Sequence, residues 1–160
     1  MLKAHYPLER FSSIRTPFYY YDMALLRETL EAIRAQVANR PAWKVHYAVK
    51  ANHNPVILKQ IASAGLGADC VSGGEIQAAL DAGFAPESIV FAGVGKADWE
   101  IILGLKAGIG RFNIESTAEI LGLISFATVF PFFVIQTSSV STNSRYFPKF
   151  SLNSVAVTCI

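Results

Sequence analysis

Lys50 is the residue of this sequence whose type and position are best suited to covalent chemistry. It ends a short β-rich run, Val45-His-Tyr-Ala-Val-Lys50. A lysine amine that is held on a rigid element and partly desolvated, so that its pKa falls, can attack a carbonyl group and bind it covalently. On position alone, a solvated lysine at the end of a strand is the simpler interpretation. The residues around Lys50 are therefore needed to distinguish a reactive lysine from a solvated one.

Four β-rich runs of equal spacing would position this lysine. They end near Lys50, Val71, Ala92 and Asn113, and each end follows the previous one by 21 residues. Strands that alternate with helices at this length predict parallel pairing through right-handed crossovers, and hence an α/β sheet or barrel. In such barrels the chemistry takes place at the carboxyl ends of the strands, which is where Lys50 would lie.

Each run is followed by residues that are typical of a helix start. Asn54-Pro55 places a capping residue before a proline at the first helical position. Ser72-Gly-Gly-Glu75 and Ser116-Thr-Ala-Glu119 both fit the capping box, which gives Glu75 a sufficient structural role. Asp98 is expected to open a helix in the same way. Three glycines are expected to close helices in the left-handed conformation: Gly65, Gly83 and Gly108.

The chain divides into three parts. Residues 1–22 form a leading segment, within which Thr16-Pro-Phe-Tyr-Tyr-Tyr-Asp22 is predicted to be extended. Residues 23–120 hold the repeated units, preceded by an amphipathic helix from Met23 to Val37 with one apolar stripe. Residues 121–160 form a tail of different composition.

This tail contains no acidic residue and only two basic ones, Arg145 and Lys149. Because the composition changes within a predicted helix rather than at a linker, the favoured interpretation is a foreign end, frame-shifted or misjoined. A buried element of the same domain is the second interpretation. A transmembrane helix is the third, but the apolar run from Leu121 to Ile135 has 15 residues, where a span needs about 20, and contains Pro131.

Composition excludes several classes of protein. The content of 52% hydrophobic residues supports a packed core, and the net charge of +2 does not suggest a nucleic-acid partner. Cys70 and Cys159 lie far apart and have no spacing typical of a metal site or a disulfide framework. The first ten residues lack the apolar stretch of a secretory signal, so a cytoplasmic location is expected.

Five segments in order resemble one known family. His46-Tyr-Ala-Val-Lys-Ala-Asn52 resembles the cofactor-lysine motif of the group IV, alanine-racemase-like (fold type III) pyridoxal-phosphate (PLP) dependent decarboxylases. Gly65-Leu-Gly-Ala-Asp-Cys-Val-Ser-Gly-Gly-Glu-Ile76 resembles the next motif. The remaining segments are Phe91–Lys96, Phe112–Ser116 and Thr16–Asp22. The match covers about residues 14–119 and is closer to diaminopimelate decarboxylases than to ornithine or arginine decarboxylases.

The resemblance implies a partial (β/α)8 PLP-binding barrel of about four βα units, whose leading strand belongs with a C-terminal β domain. It implies that Lys50 is the covalent anchor of PLP and a proton carrier, that Asp69 is an acid near the cofactor, and that Ala48 packs under its ring. A polar residue at the end of a strand is the other interpretation of Asp69. His46 lies on the same side, but a barrel-interior histidine is the simpler interpretation.

The implied reaction is removal of a carboxylate from meso-diaminopimelate to give L-lysine, in a homodimer. The histidine, glycine-rich loop and acid that complete the family's site have no match after Glu119, and Gly122 is the last glycine. Four strands of eight would leave open sheet edges, so we expect this chain by itself to be inactive.

Other interpretations remain open at this stage. The substrate could be that of an ornithine, arginine or carboxynorspermidine type decarboxylase. A single-domain, non-enzymatic PLP-binding barrel also begins with a lysine at a strand end, although the aromatic segment at 16–22 argues against it. Alanine racemase is less similar after Lys50, and a structural or membrane-associated product would be defined by the tail.

Overall fold

The structure, a computed structural model, describes residues 6–127. They fall into two compact units, one ending at Lys44 and the other beginning at Val45. The second unit contains the predicted repeats and the predicted site. The two units are described separately.

The first unit contains helices α1 (Leu8–Phe11) and α2 (Met23–Val37). The bounds of α2 are those predicted from its apolar spacing. Asp22 caps this helix, because its Oδ1 accepts the N–H groups of Ala24 and Leu25 at 3.0 Å each. Of the predicted apolar stripe Leu30 is buried, and the other members are half-buried: Leu26, Ile33 and Val37.

The aromatic segment before α2 forms no strand in the described residues. It packs instead as an aromatic cluster, in which the rings of Phe18 and Tyr20 lie 5.3 and 5.1 Å from that of Phe11. A strand requires a neighbour for its backbone N–H and C=O groups, and none of the strands within residues 6–127 pairs with this segment. The pairing of this segment with a C-terminal β domain therefore stays a prediction.

The second unit is a four-stranded parallel sheet with a helix after each strand. Its strands are β1 (His46–Ala48), β2 (Gly67–Cys70), β3 (Ile89–Phe91) and β4 (Arg111–Phe112), in the order β1-β2-β3-β4. The helices are α3 (Pro55–Ser63), α4 (Gly73–Asp81), α5 (Asp98–Ala107) and α6 (Thr117–Ala127). Short 3₁₀ turns occupy Val49–Ala51 and Pro86–Ser88. The predicted α/β architecture of four βα units is confirmed.

The register of the sheet follows the 21-residue period. Ala48 pairs with Asp69, Asp69 with Val90, and Val90 with Arg111, so that these four residues form one row. The strands end one or two residues before the predicted ends. The sequence spacing therefore predicts which residues pair, and only the predicted end residues lie just beyond the strands: Lys50, Val71, Ala92 and Asn113.

The core lies between the sheet and its helices. Ala68, Cys70, Ile89 and Phe91 are completely buried, and the ring centroids of Phe91 and Phe112 are 5.9 Å apart. Right-handed crossovers between adjacent strands place every helix of this unit on the same face of the sheet. Because side chains alternate along a strand, the row from Ala48 to Arg111 projects from the opposite face.

The predicted helix starts and ends are formed, with one correction. Asn54 Oδ1 accepts the N–H of Val56 at 2.9 Å, and the three predicted glycines have φ between 69° and 89°. The prediction that Asp98 caps a helix is wrong. Asp98 is itself the first helical residue, a position too late for its side chain to accept the N–H groups of the first turn. Glu100 acts instead, and its Oε2 accepts the N–H of Ala97 at 2.9 Å.

Helix α6 crosses the predicted boundary at residue 120 without interruption and is described as far as Ala127. Leu123, beyond that boundary, is buried. The change of composition therefore falls inside a formed helix. The remainder of the predicted tail, residues 128–160, lies outside the described residues. None of the helices within residues 6–127 is both long and apolar enough to cross a membrane.

Candidate active site

Lys50 lies in the 3₁₀ turn that directly follows β1, at the carboxyl edge of the sheet. Its neighbour Val49 is completely buried, whereas the Lys50 side chain is exposed. Within residues 6–127 no hydrogen bond or ion pair engages the amine of Lys50. The partial desolvation expected of a reactive lysine is not found in this part of the chain, because the face in front of the lysine is not covered by helices of this unit.

Asp69 and Ala48 lie side by side on the open face of the sheet. They are paired residues of β2 and β1, and both are half-buried. Ala48 precedes the Lys50 turn by one residue along the chain. The structure thus brings Asp69, Ala48 and the Lys50 turn together at one edge, as the sequence predicted.

His46 lies further from this edge, two residues before Ala48 on the same strand. At about 3.3 Å per residue, its Cα is roughly 7 Å from that of Ala48, toward the amino end of the sheet. Its ring covers Gly67, the residue it pairs with, so closely that a Cβ at that position would overlap ring atoms. This placement supports a structural histidine in the barrel interior rather than a residue beside Lys50.

The loop after β2 is held by two polar side chains, Ser72 at the cap of α4 and Glu75 within that helix. Ser72 Oγ accepts the N–H of Glu75 at 3.3 Å, which is the predicted cap. Glu75 Oε2 accepts the N–H of Val71 at 2.8 Å, one residue earlier than the predicted capping box would require. Glu75 therefore has a structural role at the end of the strand that carries Asp69.

A buried lysine that sequence reasoning left without a role lies at the same edge. The side chain of Lys96 is 2% exposed, and its amine donates to the carbonyl oxygens of Gly93 and Asn113 and forms an ion pair with Glu119 at 3.1 Å. These contacts join the loops that follow β3 and β4. Lys96 was part of a recognised motif, but its partner lies 23 residues away, beyond the reach of local spacing.

Glu119 is tuned to remain ionised. Burial would raise the pKa of its carboxyl group, but the hydrogen bond from the Glu115 N–H and the contact with Lys96 outweigh burial, so that the pKa is lowered. Its Oε1 also accepts the N–H of Gly95 at 3.1 Å. A cavity of about 590 Å³ opens beside this pair, between the starts of α5 and α6.

Cys70 follows Asp69 but is not a second nucleophile. It is completely buried, and burial, with smaller effects of Glu75 and Asp69, raises the pKa of its thiol to about 12. A thiol in this state is not ionised near neutral pH and is unreactive. In residues 6–127 no group of three or more His, Cys, Asp or Glu side chains is arranged to hold a metal ion.

The sequence model of one family, described as the pyridoxal binding domain of pyridoxal-dependent decarboxylases, matches residues 23–147, which is more than half of the chain. The chain belongs to this family. It is an enzyme family that depends on PLP, so PLP is the cofactor that the fold implies. The match also extends beyond residue 120, into the tail that the composition sets apart.

Several similar proteins are diaminopimelate decarboxylases. The enzyme of Bacteroides thetaiotaomicron is 59% identical over 119 residues, which is 74% of this chain and 31% of the relative. The enzyme of Helicobacter pylori, solved in complex with L-lysine, superimposes with a TM-score of 0.69 at 39% identity, covering 79% of this chain and 32% of that one. The M. jannaschii enzyme, also with L-lysine, gives 0.69 at 31% identity over 79% and 30% of the two chains. The chain spans about a third of the length of these relatives.

The residues at the carboxyl edge fit a PLP cofactor. The chemistry requires an amine that is not engaged in an ion pair, because an ion pair favours the protonated form, and that stands where an aldehyde can approach it. Lys50 meets both conditions within the described residues, whereas Lys96, the other lysine at this edge, is buried and saturated. The single methyl group of Ala48 leaves the open face of the sheet clear for a flat ring.

Proposed function

We propose that this chain supplies the PLP-anchoring part of a diaminopimelate decarboxylase, in which Lys50 holds the cofactor covalently. One observation carries the proposal. A lysine amine that is unpaired within residues 6–127 stands at the carboxyl edge of a parallel sheet, beside Asp69, in a chain that is 59% identical to a diaminopimelate decarboxylase over 119 residues. The reaction is the conversion of meso-diaminopimelate to L-lysine.

The roles of the residues follow from their positions. When bound, PLP accepts the electrons that remain when the carboxylate leaves as CO₂. Lys50 Nζ anchors the cofactor and is the group that carries a proton to and from the reacting carbon. The Asp69 carboxylate provides a negative charge one strand away, which favours positive charge on the bound cofactor. Ala48 provides the flat floor, and His46 supports β2 by packing on Gly67.

The relatives support the choice of substrate. Two of them were solved with L-lysine, the product of diaminopimelate decarboxylation. Because the chain spans about a third of their length, we assign turnover to a longer protein that carries this domain and no turnover to the 160-residue chain alone. We place the enzyme in the cytoplasm as a homodimer. Sedimentation of the longer protein tests the dimer.

The anchor is tested by covalent trapping. The 160-residue chain is incubated with PLP and reduced with borohydride, and the modified peptide is identified by mass spectrometry. We expect the pyridoxyl group on Lys50, its loss in Lys50→Ala, and unchanged labelling in Lys59→Ala, which removes an exposed lysine on α3. Labelling spread evenly over the exposed lysines, or persisting in Lys50→Ala, would contradict the proposal.

The substrate is tested by CO₂ release from the longer protein. Release from meso-diaminopimelate, and not from ornithine or arginine, is expected. Preferred release from ornithine or arginine would assign the protein to another branch of the family. Labelling at Lys50 without release from any of these amino acids would favour a PLP-binding barrel that is not an enzyme. Release by the 160-residue chain alone would overturn our assignment of turnover to a longer protein.

A further inference from the structure

Glu100 connects two neighbouring βα units at the carboxyl edge of the sheet. Its Oε2 accepts the N–H of Ala97, at the start of its own helix α5, at 2.9 Å. Its Oε1 accepts the N–H of Gly73, the first residue of α4, at 2.6 Å. The two residues of this second contact are 27 positions apart. One carboxylate therefore holds the starts of two helices.

Glu119 repeats this arrangement one unit later. Its Oε2 accepts the N–H of Glu115, next to its own helix α6, and its Oε1 accepts the N–H of Gly95, in the loop before α5. Glu100 and Glu119 both occupy the third position of their helices. In each case the second oxygen reaches back to the loop of the preceding unit. The repetition shows that the contact between Glu100 and Gly73 is part of the architecture of this edge.

Gly73 is shaped to receive this contact. It is buried, and a Cβ placed on it would lie 2.6 Å from Trp99 Cη2 and 3.1 Å from Glu100 Cγ. Two consecutive residues of α5 thus close on the same glycine, one by packing and the other by a hydrogen bond. Only a residue without a side chain admits both contacts at these distances.

The loop held in this way leaves β2 just after Asp69. Glu75 fixes the loop from within at Val71, and Glu100 fixes it from the neighbouring unit at Gly73. The end of β2 is therefore restrained on both sides. Without Glu100, Gly73 would keep the packing of Trp99 but would lose its hydrogen bond to α5.

We propose that Glu100 is a positioning residue of the cofactor site. Through Gly73 it fixes the loop between β2 and α4, and so keeps Asp69 in register with Ala48 beside the Lys50 turn. This inference rests on the proposed role of Lys50 as the PLP anchor. Glu100 does not touch the cofactor, and its effect on the site is transmitted through the backbone of the loop.

A carboxylate is required because both backbone groups are donors. Its two oxygens accept from Ala97 and Gly73 at once. A glutamine of the same length offers one acceptor, and its NH₂ group would face the other N–H as a second donor. Glu100→Gln thus breaks one of the two contacts with almost no change in volume.

The experiment compares Glu100→Gln with Glu87→Gln in the 160-residue chain. Glu87 is an exposed glutamate of the 3₁₀ turn before β3, at the opposite edge of the sheet. Two quantities are measured: hydrogen exchange of the Gly73 amide by NMR, and the PLP concentration for half-maximal trapping at Lys50. For Glu100→Gln we expect the exchange rate of the Gly73 amide to rise about tenfold, which is the effect of losing one charge-assisted hydrogen bond. The PLP concentration for half-maximal trapping should rise by about the same factor. Maximal trapping should be unchanged, and Glu87→Gln should match the parent chain.

Each outcome decides one question. Unchanged exchange at Gly73 in Glu100→Gln would overturn the inference without reference to PLP. Faster exchange with unchanged half-saturation would show a structural role only and would also overturn it. Absence of trapping in the parent chain would overturn the proposed function, and this inference with it. If Glu100→Gln does not fold, Glu100→Asp replaces it. Aspartate keeps both oxygens but is one methylene shorter, and the same shifts, smaller in size, are expected.

Discussion

At the scale of single residues, two lysines at one edge of the sheet have opposite environments. Lys50 is exposed and unpaired within residues 6–127, whereas the Lys96 side chain is 2% exposed and its amine is saturated by two carbonyl oxygens and Glu119. A buried amine that already donates to three fixed acceptors is not accessible to an aldehyde. The contrast gives a physical reason for choosing Lys50 as the reactive lysine.

The same contrast predicts the cost of removing the buried charge. Lys96→Met would leave the carboxylate of Glu119 and two carbonyl oxygens without their cation. We expect the free energy of unfolding to fall by roughly 3–5 kcal/mol, as for other broken buried ion pairs. Lys106→Met, an exposed site on α5, should change it by less than about 0.5 kcal/mol. Urea denaturation measures both, and equal midpoints for the two variants would contradict the buried network.

At the scale of elements, the start of α4 depends on a single hydroxyl group. Ser72 Oγ accepts the Glu75 N–H, so Ser72→Ala leaves that donor without its partner. We expect a loss of about 1 kcal/mol of unfolding free energy. The matched change is Ser63→Ala, because Ser63 is exposed at the end of α3 and donates only to the Lys59 carbonyl. Denaturation midpoints that do not separate the two variants would show that this cap is not formed.

Most elements follow from signals that are local in the sequence. The apolar stripe of α2 predicts its bounds, Asn54 and Ser72 predict helix starts, and the 21-residue period predicts the register of the sheet. Asp98 misled the prediction because a capping residue and a first-turn acidic residue look the same in a sequence. The acceptor at the start of α5 is the side chain of Glu100, which lies within the helix, and not that of Asp98.

The placement of the candidate site residues was predicted in part for the same reason. Ala48 and Asp69 are 21 residues apart, which is the offset between paired strands, and Lys50 directly follows the strand of Ala48. The sequence period alone therefore predicts that these three residues lie close together. The contacts of Glu100 with Gly73 and of Lys96 with Glu119 join different units, and their separations of 27 and 23 residues match no period. The one available signal was a glutamate at the third position of successive helices. Its local capping role concealed the second contact.

At the scale of the whole molecule, the response to acid should depend on Glu119. Its pKa in the folded chain lies below the ordinary value of 4.5, so its stabilising effect is complete above 4.5 and is lost as the pH falls through the lowered value. At pH values below 4.5, we expect the urea concentration at the unfolding midpoint of the parent chain to decrease. In Glu119→Gln the urea midpoint should be lower than that of the parent chain at neutral pH, and it should decrease less as the pH falls.

Denaturation between pH 7 and pH 3 measures this difference. Glu31→Gln, an exposed change on α2, provides the control and should follow the slope of the parent chain. A Glu119→Gln curve parallel to that of the parent chain would show that the Glu119 carboxylate has no special effect on acid stability.

The identical offset of 21 residues between all paired strands makes the βα units interchangeable in length. Removing one complete unit, for example residues 72–92, would join the end of β2 to the loop after β3. Strand β4 would then take the position of β3, and each side chain of β4 would still point to the same face of the sheet. Duplicating a unit would extend the sheet by one strand in the same phase. The βα units between Val45 and Ala127 thus form a modular array, in which growth or loss by whole modules leaves the division between covered and open faces intact.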